Sequence, residues 1–208
     1  MRKEKLKEKD VMDVVFILDR SGSMSGFEDD TIGGYNSYIK KMKGKNVKVT
    51  TVLFDDKYEM ITSRLPIKET KLMDDKTYFT RGSTALLDAI GKTINYLDDI
   101  NPSKVLFIIT TDGYENSSRL YNKSQIKELI MGHANWEFIY LGAEIDSYSE
   151  ASSIGITASR TSNYSKTKGG ISGMFNKLAN LSQTYEECSC INTNWKDGLE
   201  DYLNENKN

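Results

Sequence analysis

Residues 13–24 read Asp13-Val14-Val15-Phe16-Ile17-Leu18-Asp19-Arg20-Ser21-Gly22-Ser23-Met24. The apolar run after Asp13 is unbroken, as expected of a strand buried on both faces of a parallel sheet. It stops abruptly in small polar residues. Lys104 to Thr111 repeats the pattern through Val105-Leu106-Phe107-Ile108-Ile109 and ends in Thr110-Thr111-Asp112-Gly113. Trp136 to Leu141 is a third such run and Val47 to Phe54 a fourth. Asp55-Asp56-Lys57 is too short for a crossover, so Tyr58 to Leu65 is expected to return as an antiparallel hairpin partner. Ile156 to Arg160 is a weaker sixth strand.

Helix-period segments separate these runs, which makes the chain an α/β protein on a mostly parallel sheet. Ile32, Tyr35, Ile39 and Met42 share one face, despite the unfavourable Gly33-Gly34 pair. Leu86, Leu87, Ile90, Ile94 and Leu97 form a stronger stripe that ends at Asn101-Pro102. Ile126, Leu129 and Ile130 follow Asn122 and Gln125, the spacing of a capping box. Asp146 to Ile154 stops at Gly155, and Ile171, Met174, Phe175, Leu178 and Leu181 mark the clearest amphipathic helix. The expected layout is a charged extension over 1–10, one domain over 11–185 and a polar tail over 186–208. In the tail, Trp195, Leu199, Tyr202 and Leu203 keep helical spacing, which fits a peripheral helix or a partly disordered end.

Composition narrows the function classes. Of 208 residues, Lys and Arg number 28 and Asp and Glu 30, a net charge of -2 that offers no footprint for nucleic acid. His133 is the single histidine; it excludes multi-histidine zinc sites, argues against a Ser-His-Asp hydrolase and reads as structural. Cys188 and Cys190 are too few for a disulfide framework, and their spacing reads as free thiols. No apolar run approaches the roughly 18 residues that span a bilayer. Met1 to Asp10 lacks the apolar core of a secretory signal. These features point to a soluble cytoplasmic monomer without membrane partners.

Ligands of open α/β sheets bind beyond the carboxyl ends of strands, where the strand order reverses. If the strands ending in Asp19 and Asp112 are neighbours, their carboxylates face one crevice. Gly22 lets the loop turn so that Ser21 and Ser23 aim at one centre, and Thr84, from Arg81-Gly82-Ser83-Thr84, supplies a third hydroxyl. Hard oxygen donors suit Mg²⁺ or Mn²⁺, and also admit Ca²⁺, rather than zinc. Asp19 or Asp112 alone reads as a helix cap; together with the three hydroxyls they read as a metal site. Glu28-Asp29-Asp30 complements a helix dipole or rims a second cation. Arg20 and Arg81 are candidates to orient an acidic ligand or to stay solvated. Tyr114, Glu115 and Asn116 are candidate specificity contacts.

Asp19-x-Ser21-x-Ser23, Thr84 and Asp112-Gly113, in this order and at strand ends, resemble the metal-ion-dependent adhesion site of the von Willebrand factor type A (vWA) family. The likeness spans roughly residues 11–185. It implies a Rossmann-like six-stranded sheet in the order 3-2-1-4-5-6 with one antiparallel edge strand. It further implies that Ser21 and Ser23 ligate the cation directly, that Thr84 joins when a ligand is engaged, and that Asp19 and Asp112 act largely through water. The implied function is metal-dependent binding of an Asp or Glu side chain on a partner protein. The alternative is a metal-independent scaffold that binds through its tail or sheet edge.

Enzymatic readings fare poorly. Ser21 stands where a dehalogenase-type phosphatase carries its second aspartate. Gly91-Lys92-Thr93 lacks the earlier glycine of a phosphate loop, since Leu86 occupies that position. Gly22 and Gly26 bracket Met24, so there is no serine elbow.

Overall fold

In the computed structural model, which describes residues 11–201, the six strands form one sheet in the order β3-β2-β1-β4-β5-β6. They are β1 (Met12–Asp19), β2 (Val47–Phe54), β3 (Tyr58–Pro66), β4 (Val105–Thr111), β5 (Trp136–Gly142) and β6 (Thr161–Asn163). Every pairing is parallel except β2 with β3, the edge hairpin that the short Asp55-Asp56-Lys57 turn demands. The helices are α1 (Glu28–Met42), α2 (Leu86–Asp98), α3 (Lys123–Gly132), α4 (Ser147–Ser153) and α5 (Lys168–Cys188). None of the described helices is long and apolar enough to cross a membrane. Tyr202, Leu203 and the charged extension over 1–10 lie outside the described residues.

β1 shows why its sequence is apolar throughout. Val14, Phe16 and Leu18 enter one core with α1 and α5, while Val15 and Ile17 enter the other with α2, α3 and α4. Phe16 is fully buried, and its ring meets Tyr38 edge-on at 4.8 Å and Tyr35 at 5.5 Å. The Gly33-Gly34 pair has a packing reason. A Cβ on Gly34 would stand 2.2 Å from the Phe175 ring of α5, so the two helices approach only because it is absent. The expected capping box opens α3: Asn122 Oδ1 accepts from the Gln125 N–H at 3.0 Å, and Gln125 Oε1 from the Asn122 N–H at 2.9 Å.

Two expectations need correction. β6 lies at Thr161–Asn163, not at Ile156 to Arg160. Ile154 and Ile156 instead plug the α2–α3–α4 core, and residues 158–160 wind into a 3-10 turn. The strand itself is Thr-Ser-Asn, with no apolar pattern to reveal it. Cys188 and Cys190 are disulfide-bonded rather than free. α5 ends at Cys188, and Ser189 turns into the left-handed region at φ 54°, bringing the two Cα atoms to 5.2 Å, within the usual bridging range.

Beyond α5 the chain folds back onto the β6 side. Trp195 and Leu199 are buried in the α1–α5 core. Trp195 Nε1 donates to the Ser159 carbonyl at 2.9 Å, and Lys196 Nζ donates to the carbonyls of Ala158 at 2.8 Å and Thr161 at 2.7 Å. Glu200 Oε1 accepts from the Asn163 N–H at 3.1 Å and from the Tyr148 hydroxyl at 2.6 Å. This strap hydrogen-bonds to a three-residue edge strand that pairs with β5 on one side. Trp195→Ala is therefore expected to lower stability by about 3 kcal/mol; an unchanged urea midpoint would show that the strap contributes nothing.

Candidate metal centre

The centre is built where β1 and β4 end side by side. Leu18 pairs with Thr110, so Asp19 and the Thr111-Asp112 step leave the sheet at the same level. Asp19 is buried and its carboxylate is fully engaged: Oδ1 accepts from the Ser21 N–H at 2.7 Å and Oδ2 from the Thr111 hydroxyl at 2.6 Å. The first bond curls the loop after β1 back on itself, which brings Ser21 Oγ and Ser23 Oγ to 3.0 Å. Ser23 Oγ in turn donates to Asp112 Oδ1 at 2.5 Å. Tyr78, fully buried, donates its hydroxyl to the Asp19 carbonyl at 2.5 Å and braces the strand end.

Thr84 reaches the centre on a loop tied to both sides. The Arg81 N–H donates to the Arg20 carbonyl at 2.9 Å, and the Gly22 N–H to the Gly82 carbonyl at 3.1 Å. On the other flank, Asn116 Oδ1 accepts from the Thr84 N–H at 2.9 Å, and the Thr84 carbonyl accepts from the Asn116 N–H at 3.1 Å. Gly113 completes the cradle. A Cβ there would lie 3.1 Å from Thr84 Oγ1 and 3.5 Å from Ser23 Oγ, filling the space between the two hydroxyls. Ser21, Ser23, Thr84, Asp19 and Asp112 are thus brought together on three loops.

Electrostatically the centre is short of positive charge on the Asp19 side. No ammonium or guanidinium pairs with this carboxylate among the described residues. Burial pushes its pKa up to about 6, against the downward pull of the hydrogen bonds from Ser21 and Thr111. A buried carboxylate without an ion-pair partner, beside three converging hydroxyls and an open cradle, fits a hard divalent cation. Among the described residues no three His, Cys, Asp or Glu side chains gather at one point, so a zinc-type cluster of those ligands has no counterpart here.

No protein-family model and no curated relative matches the sequence. Solved structures do match. Proximal thread matrix protein 1 from the mussel byssus aligns with 82% of this chain and 46% of its own, at TM-score 0.62 and 15% identity. The same protein solved with a zinc-occupied MIDAS motif aligns at TM-score 0.59 and 16% identity, over 82% of this chain and 45% of that one. The vWF domain of the type V pili tip protein Mfa5 from Porphyromonas gingivalis aligns at TM-score 0.59 and 10% identity, over 83% of this chain and 95% of that domain. The chain has the vWA fold. It spans less than half the length of the byssus protein.

Around the centre of this vWA fold, the candidate ligand contacts divide sharply. Arg20 is neither solvated nor available to a ligand: it is fully buried, with Nε donating to Asp55 Oδ2 at 2.9 Å and Nη2 to Glu59 at 2.7 Å. Its backbone follows the site loop, but its side chain turns towards the end of β2. Arg81 Nε donates to the same Asp55 oxygen at 2.7 Å, with its guanidinium 5.0 Å from the Phe79 ring and about a third exposed. Glu115 is likewise committed to structure. It accepts from the N–H groups of Leu87, Ser117 and Ser118 at 2.9, 2.9 and 2.7 Å, fastening the loop after β4 to the start of α2. Asp88, which no motif singles out, assists by accepting from the N–H groups of Arg119, Leu120 and Tyr121 at 3.1, 2.9 and 3.1 Å. Tyr114 is the open one, 53% exposed, its hydroxyl accepting from the Asp146 N–H at 3.2 Å. His133 is structural: it stacks on Trp136 at 4.0 Å and bonds the Leu129 carbonyl and Asp98 at 2.6 Å each.

Lys166, absent from the motif, enters the site from the β6–α5 loop. Its ammonium donates to Asp112 Oδ2 at 3.0 Å, to Glu144 Oε2 at 2.8 Å and to the Ser23 carbonyl at 3.2 Å. Both Asp112 oxygens are thereby occupied, one by Ser23 and the other by Lys166.

Asp55 holds the Thr84 loop in place and supplies a pH test. Burial alone raises its carboxyl pKa, but Arg81, the Lys57 N–H and Arg20 outweigh that and hold it below its ordinary value. The stability it contributes is therefore complete above the unfolded-state value, about 4, and is lost as pH falls through the lower folded value. Asp55→Asn is expected to cost about 3 kcal/mol or more at neutral pH and to make acid-side urea denaturation less steep in pH. An acid limb as steep as that of the wild type would contradict this.

Proposed function

We propose that this chain is a divalent-cation-dependent protein-binding module that takes an Asp or Glu side chain of a partner at the centre on β1 and β4. The observation that carries the reading is the convergence of the Ser21, Ser23 and Thr84 hydroxyls beside Asp112, above a buried Asp19 that has no counter-charge among the described residues. Ser21, Ser23 and Thr84 would hold the cation directly, with Asp112 and Asp19 behind them. Mg²⁺ or Mn²⁺ matches this donor set, and Ca²⁺ is the third candidate. When bound, the cation supplies a positive point at which a carboxylate can replace water.

The chain's own residues do the rest. Asp19 and Thr111 hold the β1 loop in its curled form, so the serine hydroxyls are preset before any ligand arrives. Asn116 and the Gly22–Gly82 bond fix Thr84 on the opposite side. Three neutral hydroxyls leave the site's charge demand unmet, which favours an anionic partner group over a neutral one. Exposed Tyr114, on the loop that follows Asp112, offers aromatic contact area near it. Solved structures of similar fold include a byssus matrix protein with zinc at its MIDAS motif and the open form of a pilus adhesin, SpaC from Lactobacillus rhamnosus GG, which supports a binding role over a catalytic one.

The test is thermal unfolding with and without Mg²⁺ or Mn²⁺. Wild type is expected to gain about 2.7 kcal/mol at a hundredfold excess over the dissociation constant, and Ser21→Ala/Ser23→Ala nothing. Equal stabilisation of both proteins would place the cation elsewhere. Partner capture that persists in EDTA would transfer the binding role to the tail or the β3 edge.

A further inference from the structure

The Lys166 ammonium links loops from three strands at one point: Ser23 after β1, Asp112 after β4 and Glu144 after β5. It is held closely, its side chain 12% exposed and its Nζ 5.4 Å from the Phe27 ring at the start of α1. Asp112, with a fully buried side chain, and Ser23 are two of the residues that the preceding reading gives to the cation. One carboxylate therefore faces two positive claimants, and like charges a few ångströms apart repel strongly in a partly buried setting. The two acceptors of Lys166 differ in kind. Asp112 is enclosed, whereas Glu144 is 63% exposed on the rim at φ 57°. An ammonium that leaves Asp112 still keeps a carboxylate within reach.

We propose that Lys166 is a tethered competitor for the divalent cation, so that it sets the metal concentration at which the site loads. Without metal, the ammonium neutralises Asp112 and pins the β6–α5 loop to the loop after β1. On loading, it is displaced from Asp112 and retained by Glu144, leaving a positive group at the rim beside an incoming partner carboxylate. This rests on the metal-site reading above and adds what regulates that site.

The experiment is calorimetric titration of MgCl₂, and separately MnCl₂, into wild type, Lys166→Met, Lys166→Arg, Glu144→Gln and Ser21→Ala/Ser23→Ala. Lys166→Met keeps the length of the side chain without its charge and is expected to bind Mg²⁺ about tenfold more tightly or better. Lys166→Arg restores weak binding. Glu144→Gln weakens binding in the wild-type background and has no effect beside Lys166→Met, because its role runs through the ammonium. Lys166→Gln, measured alone and together with Glu144→Gln, is expected to give the same readings and keeps the proposal open to refutation should Lys166→Met fold poorly. Lys166→Met binding no more tightly than wild type, with Ser21→Ala/Ser23→Ala inert, would overturn the competitor and leave the metal site standing. Equal loss from Glu144→Gln in both backgrounds would also overturn it. Absence of Mg²⁺ and Mn²⁺ binding in wild type and Lys166→Met alike would remove the metal site and the competitor together.

Discussion

Parallel pairing of β1 with β4 is the constraint on which the molecule depends. It places the polar ends of two fully buried strands at one level, so Asp19 and Asp112 must leave the sheet beside each other. The strand order reverses there, with β2 and β3 to one side and β5 and β6 to the other. The crevice at such a point is not blocked by a crossover helix, so loops can converge over it. The alternation of β1 between two cores keeps this register: a one-residue slip would exchange Phe16 and its Tyr35–Tyr38 cage for Val15 or Ile17.

From that constraint the site assembles through backbone bonds more than through ligand-like side chains. The Asp19 carboxylate folds the first loop, Asp55 and its two arginines hold the second near the first, and Glu115 with Asp88 locks the third against α2. Acidic groups thus serve two separate purposes. Asp55, Asp88 and Glu115 spend their charge on N–H donors and guanidinium groups. Among the described residues Asp19 has only hydrogen bonds, and Asp112 has a lysine on a tether. Such uneven neutralisation at one end of the sheet is the observation on which the proposed cation site rests.

Four of the six strands were legible because burial on both faces forces unbroken apolar runs, and the fifth, the edge hairpin strand, because three residues cannot cross a sheet. β6 was not legible: Thr161, Ser162 and Asn163 are held by backbone pairing and by the strap from Trp195 to Glu200, neither of which leaves an apolar pattern. That Asp19, Ser21, Ser23, Thr84 and Asp112 come together at one end of the sheet could be read from the motif and its order along the chain. Arg20 was misread because a residue inside a polar motif looks solvated, whereas its partner Asp55 arrives from the end of the adjacent strand. Lys166 and Glu144 gave no signal, since a lysine's meaning depends on which carboxylate the fold sets beside it. The pairing of Cys188 with Cys190 depended on the left-handed turn at Ser189, a backbone property that serine does not announce.

The central claim is that three hydroxyls and two carboxylates on neighbouring loops form one cation site. Anomalous diffraction from crystals grown with Mn²⁺ tests it most directly. The account predicts a single strong peak enclosed by Ser21, Ser23 and Thr84 on the Asp112 side of the crevice. A crevice without anomalous signal, with Mn²⁺ found only on surface carboxylates such as Asp29 and Asp30, would contradict it.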